Sequence, residues 1–260
     1  ILLVFSANPE DYTARGKIVT PLKDRVGSEI RTHYPRTVEE GMAITGQEAW
    51  IARGVEVKIP SYVANMIEEV AFQARDDSRV DKHSGVSQRL PITLLENVVS
   101  SAEHRAYALG ETVPVARTTD LYISLSAVTG KLELEYEGEL KGGEAVARDL
   151  VRRAVVHVFT RLAVDLELVA VVDYFDADNT LKVPDSLPTG ELPGVFARVP
   201  GLLDAAWQLA EGDEQDDLAA AAEFVLEGLY AQKQVARSEE RGYSAAEPDL
   251  SQVSSRRRWN

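Results

Sequence analysis

Apolar residues open the chain as an unbroken run, Ile1-Leu2-Leu3-Val4-Phe5, followed at once by the turn Ser6-Ala7-Asn8-Pro9. A continuous run of this length that ends in a loop predicts a strand buried on both faces of a parallel sheet. Such a strand needs partners on either side. The expectation is therefore a piece of a longer protein whose amino-terminal portion precedes Ile1. A helical stretch from about Thr37 to Ala52 and the segment Val55-Glu56-Val57-Lys58-Ile59 complete residues 1–59, which read as part of an α/β core. Pro60 and Ser61 mark a boundary. Beyond it Val63, Met66, Ile67, Val70 and Ala71 recur at helical spacing up to Arg75. A charged loop runs from Asp76 to Ser87. Pro91 then stands where the first turn of a helix tolerates it, Leu94, Leu95, Val98, Ala102 and Leu109 form the apolar stripe, and Gly110 is the stop signal. Residues 60–111 thus predict a small helical domain.

The pattern then becomes mixed. Residues 112–203 predict an α+β region. Lys131 to Glu137 alternates strictly, the sign of a half-exposed strand, while Val146, Leu150, Val151, Ala154, Val155, Val158 and Leu162 place one apolar side on a helix from Ala145 to Ala163. Gly and Pro punctuate 184–201. Residues 204–260 form an acidic helical segment and tail: 204–230 holds eight acidic side chains and no basic one, with Ala-rich helical stretches at each end. No internal repeat is present.

Composition narrows the classes. With 28 Lys and Arg against 42 Asp and Glu, the formal charge is −14, which argues against nucleic acid as a partner because phosphate neutralisation drives that binding. No apolar run approaches the roughly 20 residues that span a bilayer. The absence of Cys excludes a disulfide scaffold, a thiolate metal site and a Cys nucleophile, and it fits a reducing compartment. His33, His83, His104 and His157 are scattered without ligand spacing, so no metal site is expected. Asp176-x-Asp178-Asn179-Thr180 brushes against a calcium loop, but Leu181 stands where that loop requires Gly, and a turn is the simpler reading. Glu133, Glu135 and Glu137 share one face and should be solvated.

Three residues carry candidate chemistry. Asn8 stands at the carboxyl end of the opening strand, where open α/β sheets bind ligands, although an Asn before Pro9 also suits a turn. Arg25, in Thr20-Pro21-Leu22-Lys23-Asp24-Arg25-Val26-Gly27, either pairs with Asp24 on the surface or reaches a neighbouring subunit's γ-phosphate as an arginine finger. Arg89, in Ser84-Gly85-Val86-Ser87-Gln88-Arg89, precedes a helix. A cation there opposes the macrodipole unless an anion joins it, and a solvated surface Arg is the alternative.

In this order, with a helical domain beginning between the last two, the chain resembles the carboxyl-terminal half of an AAA+ ATPase. The wording of 6–13, Ile18 to Gly27, Ile30 to Pro35, Ser84 to Arg89 and Ile123 to Gly138 looks like the magnesium chelatase subunit I and MoxR-like family. The likeness is firm over about 1–140 and looser to about 243. It implies the carboxyl-terminal part of an α/β AAA+ core, an α-helical lid and a mainly helical carboxyl-terminal region. By the same resemblance Asn8 matches sensor 1, Arg25 the arginine finger and Arg89 sensor 2. ATP and Mg²⁺ are the implied cofactors, held mainly by a part not in this sequence. A homo-oligomeric ring, often hexameric, a von Willebrand factor A domain partner and a cytoplasmic location are also implied. The function implied is ATP hydrolysis coupled to remodelling or metal loading of a partner protein. One departure matters: no Gly-x-x-x-x-Gly-Lys-[Ser/Thr] occurs, since Gly130-Lys131 is followed by Leu132 without the upstream Gly, and no paired-acid Walker B strand occurs. The 260 residues alone should not hydrolyse ATP. The alternative is a non-catalytic AAA+-like interaction module whose acidic region docks a basic partner.

Overall fold

The computed structural model describes residues 2–6, 21 and 24–246. Eleven α-helices of five residues or more lie within 24–246, and one antiparallel hairpin is the only regular sheet among the described residues. Helix α1 spans Val38–Glu48. Thr37 caps it by accepting a hydrogen bond from the Glu40 N–H at 3.2 Å, while Glu40 in turn accepts the Arg36 N–H at 2.8 Å. Helix α2 spans Ser61–Asp76 and begins where Pro60 cannot donate. The Ser61 N–H there is capped from a distance by both carboxylate oxygens of Glu211, each at 2.9 Å. Helix α3, Arg89–Leu109, ends where Gly110 turns left-handed at φ 76° and donates its N–H to Ala106. Both α2 and α3 bury the stripes that their spacing predicts, from Val63 to Ala71 and from Leu94 to Ala102.

After two short helices, α4 (Thr118–Ile123) and α5 (Leu125–Thr129), α6 (Tyr136–Lys141) leads into α7, Gly143–Leu162. The apolar side of α7 is buried from Val146 to Val158, but Leu162, in the last turn, is exposed. Helices α8 (Val169–Asp176), α9 (Leu192–Phe196) and α10 (Leu202–Trp207) follow, with a turn of 3₁₀-helix at Thr189–Glu191. Helix α11, Gln215–Ala231, is buried around nearly its whole circumference, and strands β1 (Val235–Ser238) and β2 (Gly242–Ala245) close the described chain.

The core is continuous from Tyr62 to Tyr243. Helix α2 packs on α7, α7 on α11, and α11 on α10. At their meeting point Tyr62 stacks on Phe224 with centroids 4.6 Å apart, and Phe159 meets the same ring edge-on at 5.6 Å. Burying rings of this size contributes about 2–3 kcal/mol each.

Two expected strands do not form. Residues 2–6 are neither helix nor strand, and Leu2 to Phe5 are 71–88% exposed. An apolar strand exists only against a ladder partner, and no described residue pairs with this one. The α/β expectation therefore narrows to a mainly helical molecule. Val55 to Ile59 contributes a single parallel bridge, Lys58 to Val115, and the alternation at 131–137 yields one antiparallel bridge, Val80 to Leu134, before α6 begins at Tyr136. Up to Glu135 the pattern reads as expected, with Glu133 and Glu135 exposed and Leu132 and Leu134 half-buried. Asp178, at φ 62°, lies in the turn expected there. No described helix is long and apolar enough to cross a membrane.

Candidate functional site

Arg89 is the first residue of α3. The helix has no acid in its first turn, and its first N–H groups are already engaged: the Ser87 hydroxyl accepts the Arg89 N–H at 3.3 Å, and the Ser87 and Gln88 carbonyls accept those of Leu90 and Ile92. Pro91 has none, so the guanidinium is the positive group presented there. The Arg89 side chain is exposed and has no hydrogen-bond or ion-pair partner among the described residues. Its backbone, by contrast, is fixed. Gln88, one residue earlier, points its amide into the angle between α1 and α2. There Nε2 lies 2.8 and 3.0 Å from the two carboxylate oxygens of Glu68, 3.1 Å from the Thr45 hydroxyl and 3.3 Å from the Gly41 carbonyl. Its Oε1 accepts from Arg75 Nη2 at 3.0 Å.

Glu68 is completely buried and also accepts the Thr45 hydroxyl at 3.0 Å. Burial pushes its carboxyl up, against the pull of the Gln88 and Thr45 hydrogen bonds. Arg75 donates Nε to the Val86 carbonyl at 3.0 Å, and its guanidinium lies 4.4 Å from the Tyr34 ring centroid. Tyr34 in turn accepts the Val86 N–H at 3.2 Å. An exposed cation thus rides on a helix start held by hydrogen bonds to two other helices.

Arg25 is exposed and donates Nη1 to the Pro21 carbonyl at 2.8 Å. No hydrogen bond or ion pair joins it to Asp24 or to Arg89 among the described residues. Asn8, the third expected site residue, lies outside the described residues. No group of three or more His, Asp or Glu side chains converges on a point that could hold a metal ion, among the described residues.

No family model, curated protein or solved structure matches the chain.

A second constellation was not apparent in the sequence. The acidic segment does not offer all its charge to solvent: Asp217, Glu223 and Glu227 are buried on α11. Glu223 accepts Arg117 Nε at 2.7 Å and a further bond from Arg117 Nη2, and it caps α4 by accepting the Thr119 N–H at 2.8 Å. Burial works against its charge, but the Arg117 guanidinium and the Thr119 N–H hold the carboxyl below its ordinary range. One turn on, Glu227 accepts from Arg237 and from the Tyr243 hydroxyl. Asp217 holds Lys58 at 3.1 Å. These three acids are therefore structural, as is Glu211 at the start of α2, and docking of a basic partner would draw on Asp204, Asp213 and Glu214, which remain exposed. A signal was available: from Leu218 to Ala231 the helix is apolar on every side, so two acids one turn apart within it must be buried and paired.

Proposed function

We propose that the chain forms the finger and lid of an AAA+ ATPase of the magnesium chelatase and MoxR-like kind, coupling ATP hydrolysis in an oligomeric ring to remodelling or metal loading of a partner protein. One observation supports this above the others: the Arg89 side chain stands exposed, without a partner among the described residues, at the start of α3, while Gln88 ties that start to both α1 and α2. A guanidinium so placed can follow a phosphate and transmit its position to the helices through a rigid backbone. In this reading 60–111 is the lid and Arg89 reports nucleotide state to it. Arg25 reaches the γ-phosphate across a subunit boundary, which agrees with its lack of contact to Arg89. Asn8 orients the attacking water.

Arg89 fits a phosphate group. Mg²⁺ finds no set of ligands among the described residues, and no phosphate-binding loop occurs in residues 1–260. Other residues would have to hold both, so no step is assigned to the metal. The test is ATP turnover in a ring that includes a phosphate-binding loop. Arg25→Ala should lower turnover by about 10³-fold or more while nucleotide binding persists. Turnover at the unaltered rate would remove the finger assignment.

A second reading, a non-catalytic AAA+-like interaction module, is supported by the exposed acids Asp204, Asp213 and Glu214, which can dock a basic partner. Nucleotide affinity of the same ring separates the two, because a module needs none.

A further inference from the structure

The last turn of α7, the loop 163–168, the first turns of α8 and the link between α11 and β1 frame an open groove of about 470 Å³. Neither Arg25 nor Arg89 lines it. Its floor is apolar: Phe159 is buried, and Ala163, Leu166, Leu168 and Val172 are half-buried. Val169, also on the lining, is 68% exposed, and Leu162 and Val164, on either side of Ala163, are exposed as well. The amides of the lining are already satisfied. Gln234 donates to Gln232 at 3.1 Å, and Gln232 donates to the Thr160 hydroxyl at 3.0 Å. A groove whose polar groups pair with one another while its apolar groups face water suits an apolar occupant.

Charge narrows the choice. The stretches that build the groove, 159–173 and 232–234, carry Asp165, Glu167 and Asp173, all exposed and without a hydrogen bond or ion pair to their carboxylates among the described residues. Their two cations are Arg161, which is given to Asn65 at 2.7 Å, and the exposed Lys233. Three carboxylates thus stand against one ammonium, and an occupant that carries positive charge beside its apolar residues is favoured.

The chain itself supplies one at this place. Strand β2 pairs with β1 in the register Val235 to Ala245, and α8 packs on β2. Continuing that register sets Ala246, the last described residue, against Gln234 of the groove lining. Residues 247–260 lie outside the described residues. Their sequence holds Leu250 and Val253 three positions apart, followed by Arg256-Arg257-Arg258. Leu250 is four residues beyond Ala246, a reach of up to about 14 Å. We propose that residues 247–260 cover this groove in cis, with Leu250 and Val253 on its apolar floor and the three arginines against Asp165, Glu167 and Asp173. Tethering sets an effective concentration on the order of mM, so contacts too weak to hold a free peptide suffice.

The chain contains no Cys, so a single introduced thiol reports on one place. Val169→Cys puts it in the groove, and Tyr107→Cys puts it on α3, where Tyr107 is 79% exposed. The experiment is the rate at which a water-soluble thiol reagent labels each, in residues 1–260 and again with Leu250→Asp and Val253→Asp added. Under the cover, the thiol at 169 reacts only while the segment lifts. The two substitutions should therefore speed its labelling about tenfold or more and leave position 107 unchanged. Replacing the three arginines by Ser should speed it by a smaller factor, and an unchanged rate would remove them from the contact. Each substitution is at an exposed side chain or outside the described residues, so the fold is left intact. The proposal is overturned by labelling at 169 that is indifferent to Leu250→Asp and Val253→Asp, which leaves the groove open to a separate partner. Protection that rises with protein concentration overturns it too, because the cover then comes from a second copy.

Discussion

Asp77 caps the carboxyl end of α2 and is almost wholly buried, yet it keeps its charge because two guanidinium groups reach it. Arg79 gives Nε at 2.8 Å, Nη2 at 2.5 Å and its own backbone N–H at 2.9 Å, and Arg153 gives Nη1 at 2.9 Å from α7. The hydrogen bonds from Arg79 outweigh burial and draw the carboxyl from 3.8 down to about 2. A depressed carboxylate contributes stability that is present above its unfolded value and is lost as pH falls through the folded one. Asp77 should therefore add about 2 kcal/mol at neutral pH, and that share should fade between roughly pH 4 and 2. Urea unfolding of the unaltered chain and of Asp77→Asn, compared from pH 7 down to 3, measures it. The two should differ most at pH 7 and converge in acid. A gap that stays constant with pH would place the stabilisation elsewhere. Glu227, on α11, behaves in the opposite sense: burial pushes its carboxyl up even though Arg237 pulls it down. Two buried carboxylates in one core thus shift in different directions because only Asp77 has donors on both oxygens.

Helices α7 and α11 approach closely because one of them lacks a side chain at the crossing. A methyl group on Gly228 would fall on the ring atoms of Phe159, itself packed edge-on to Phe224. Ordinarily Gly→Ala within a helix stabilises by up to about 1 kcal/mol. Here steric conflict decides the sign, and Gly228→Ala should destabilise the chain by about 1–3 kcal/mol in chemical denaturation, with Gly228→Ala, Phe159→Leu recovering part of the loss. A more stable single variant would show that the contact relaxes freely. The position of this crossing was not legible in the sequence, although the helices were. Stripes such as Val63 to Ala71 and stop signals such as Gly110 act within a few residues, so α2 and α3 end close to where periodicity places them. Strands require a distant partner, which is why the alternation at 131–137 gives only the bridge from Leu134 to Val80. Distance also hid the buried acids, since Arg117 stands 106 positions from Glu223. At the candidate site the location of Arg89 before a helix was readable. Its mounting was not, because Gln88 finds its partners on α1 and α2 43 and 20 positions away.

Across the whole molecule, stability is shared over the divisions that the sequence suggests at 111 and 203. Tyr62 stacks on Phe224, Arg105 from α3 holds Asp120 of α4 at 2.7 Å, and Arg117 holds Glu223, so each boundary is crossed by buried contacts. The pair of Arg117 and Glu223 couples the segments most sharply, because losing one partner strands a charge in the interior at a cost of about 3–5 kcal/mol. Segments joined this way cannot unfold separately without exposing part of a common core. The chain should therefore melt in one cooperative transition, with helical circular dichroism and tryptophan fluorescence giving the same midpoint. Trp50, beside α1, and Trp207, at the end of α10, are suited as reporters because they stand in different segments, and single-tryptophan variants would read them separately. Glu223→Gln should lower both midpoints together. A Trp50 transition that keeps its midpoint while Trp207 shifts would instead show that α1 and the helices it packs on, α2 and α3, unfold as a unit apart from the rest, able to move as a body when Arg89 gains or loses an anion.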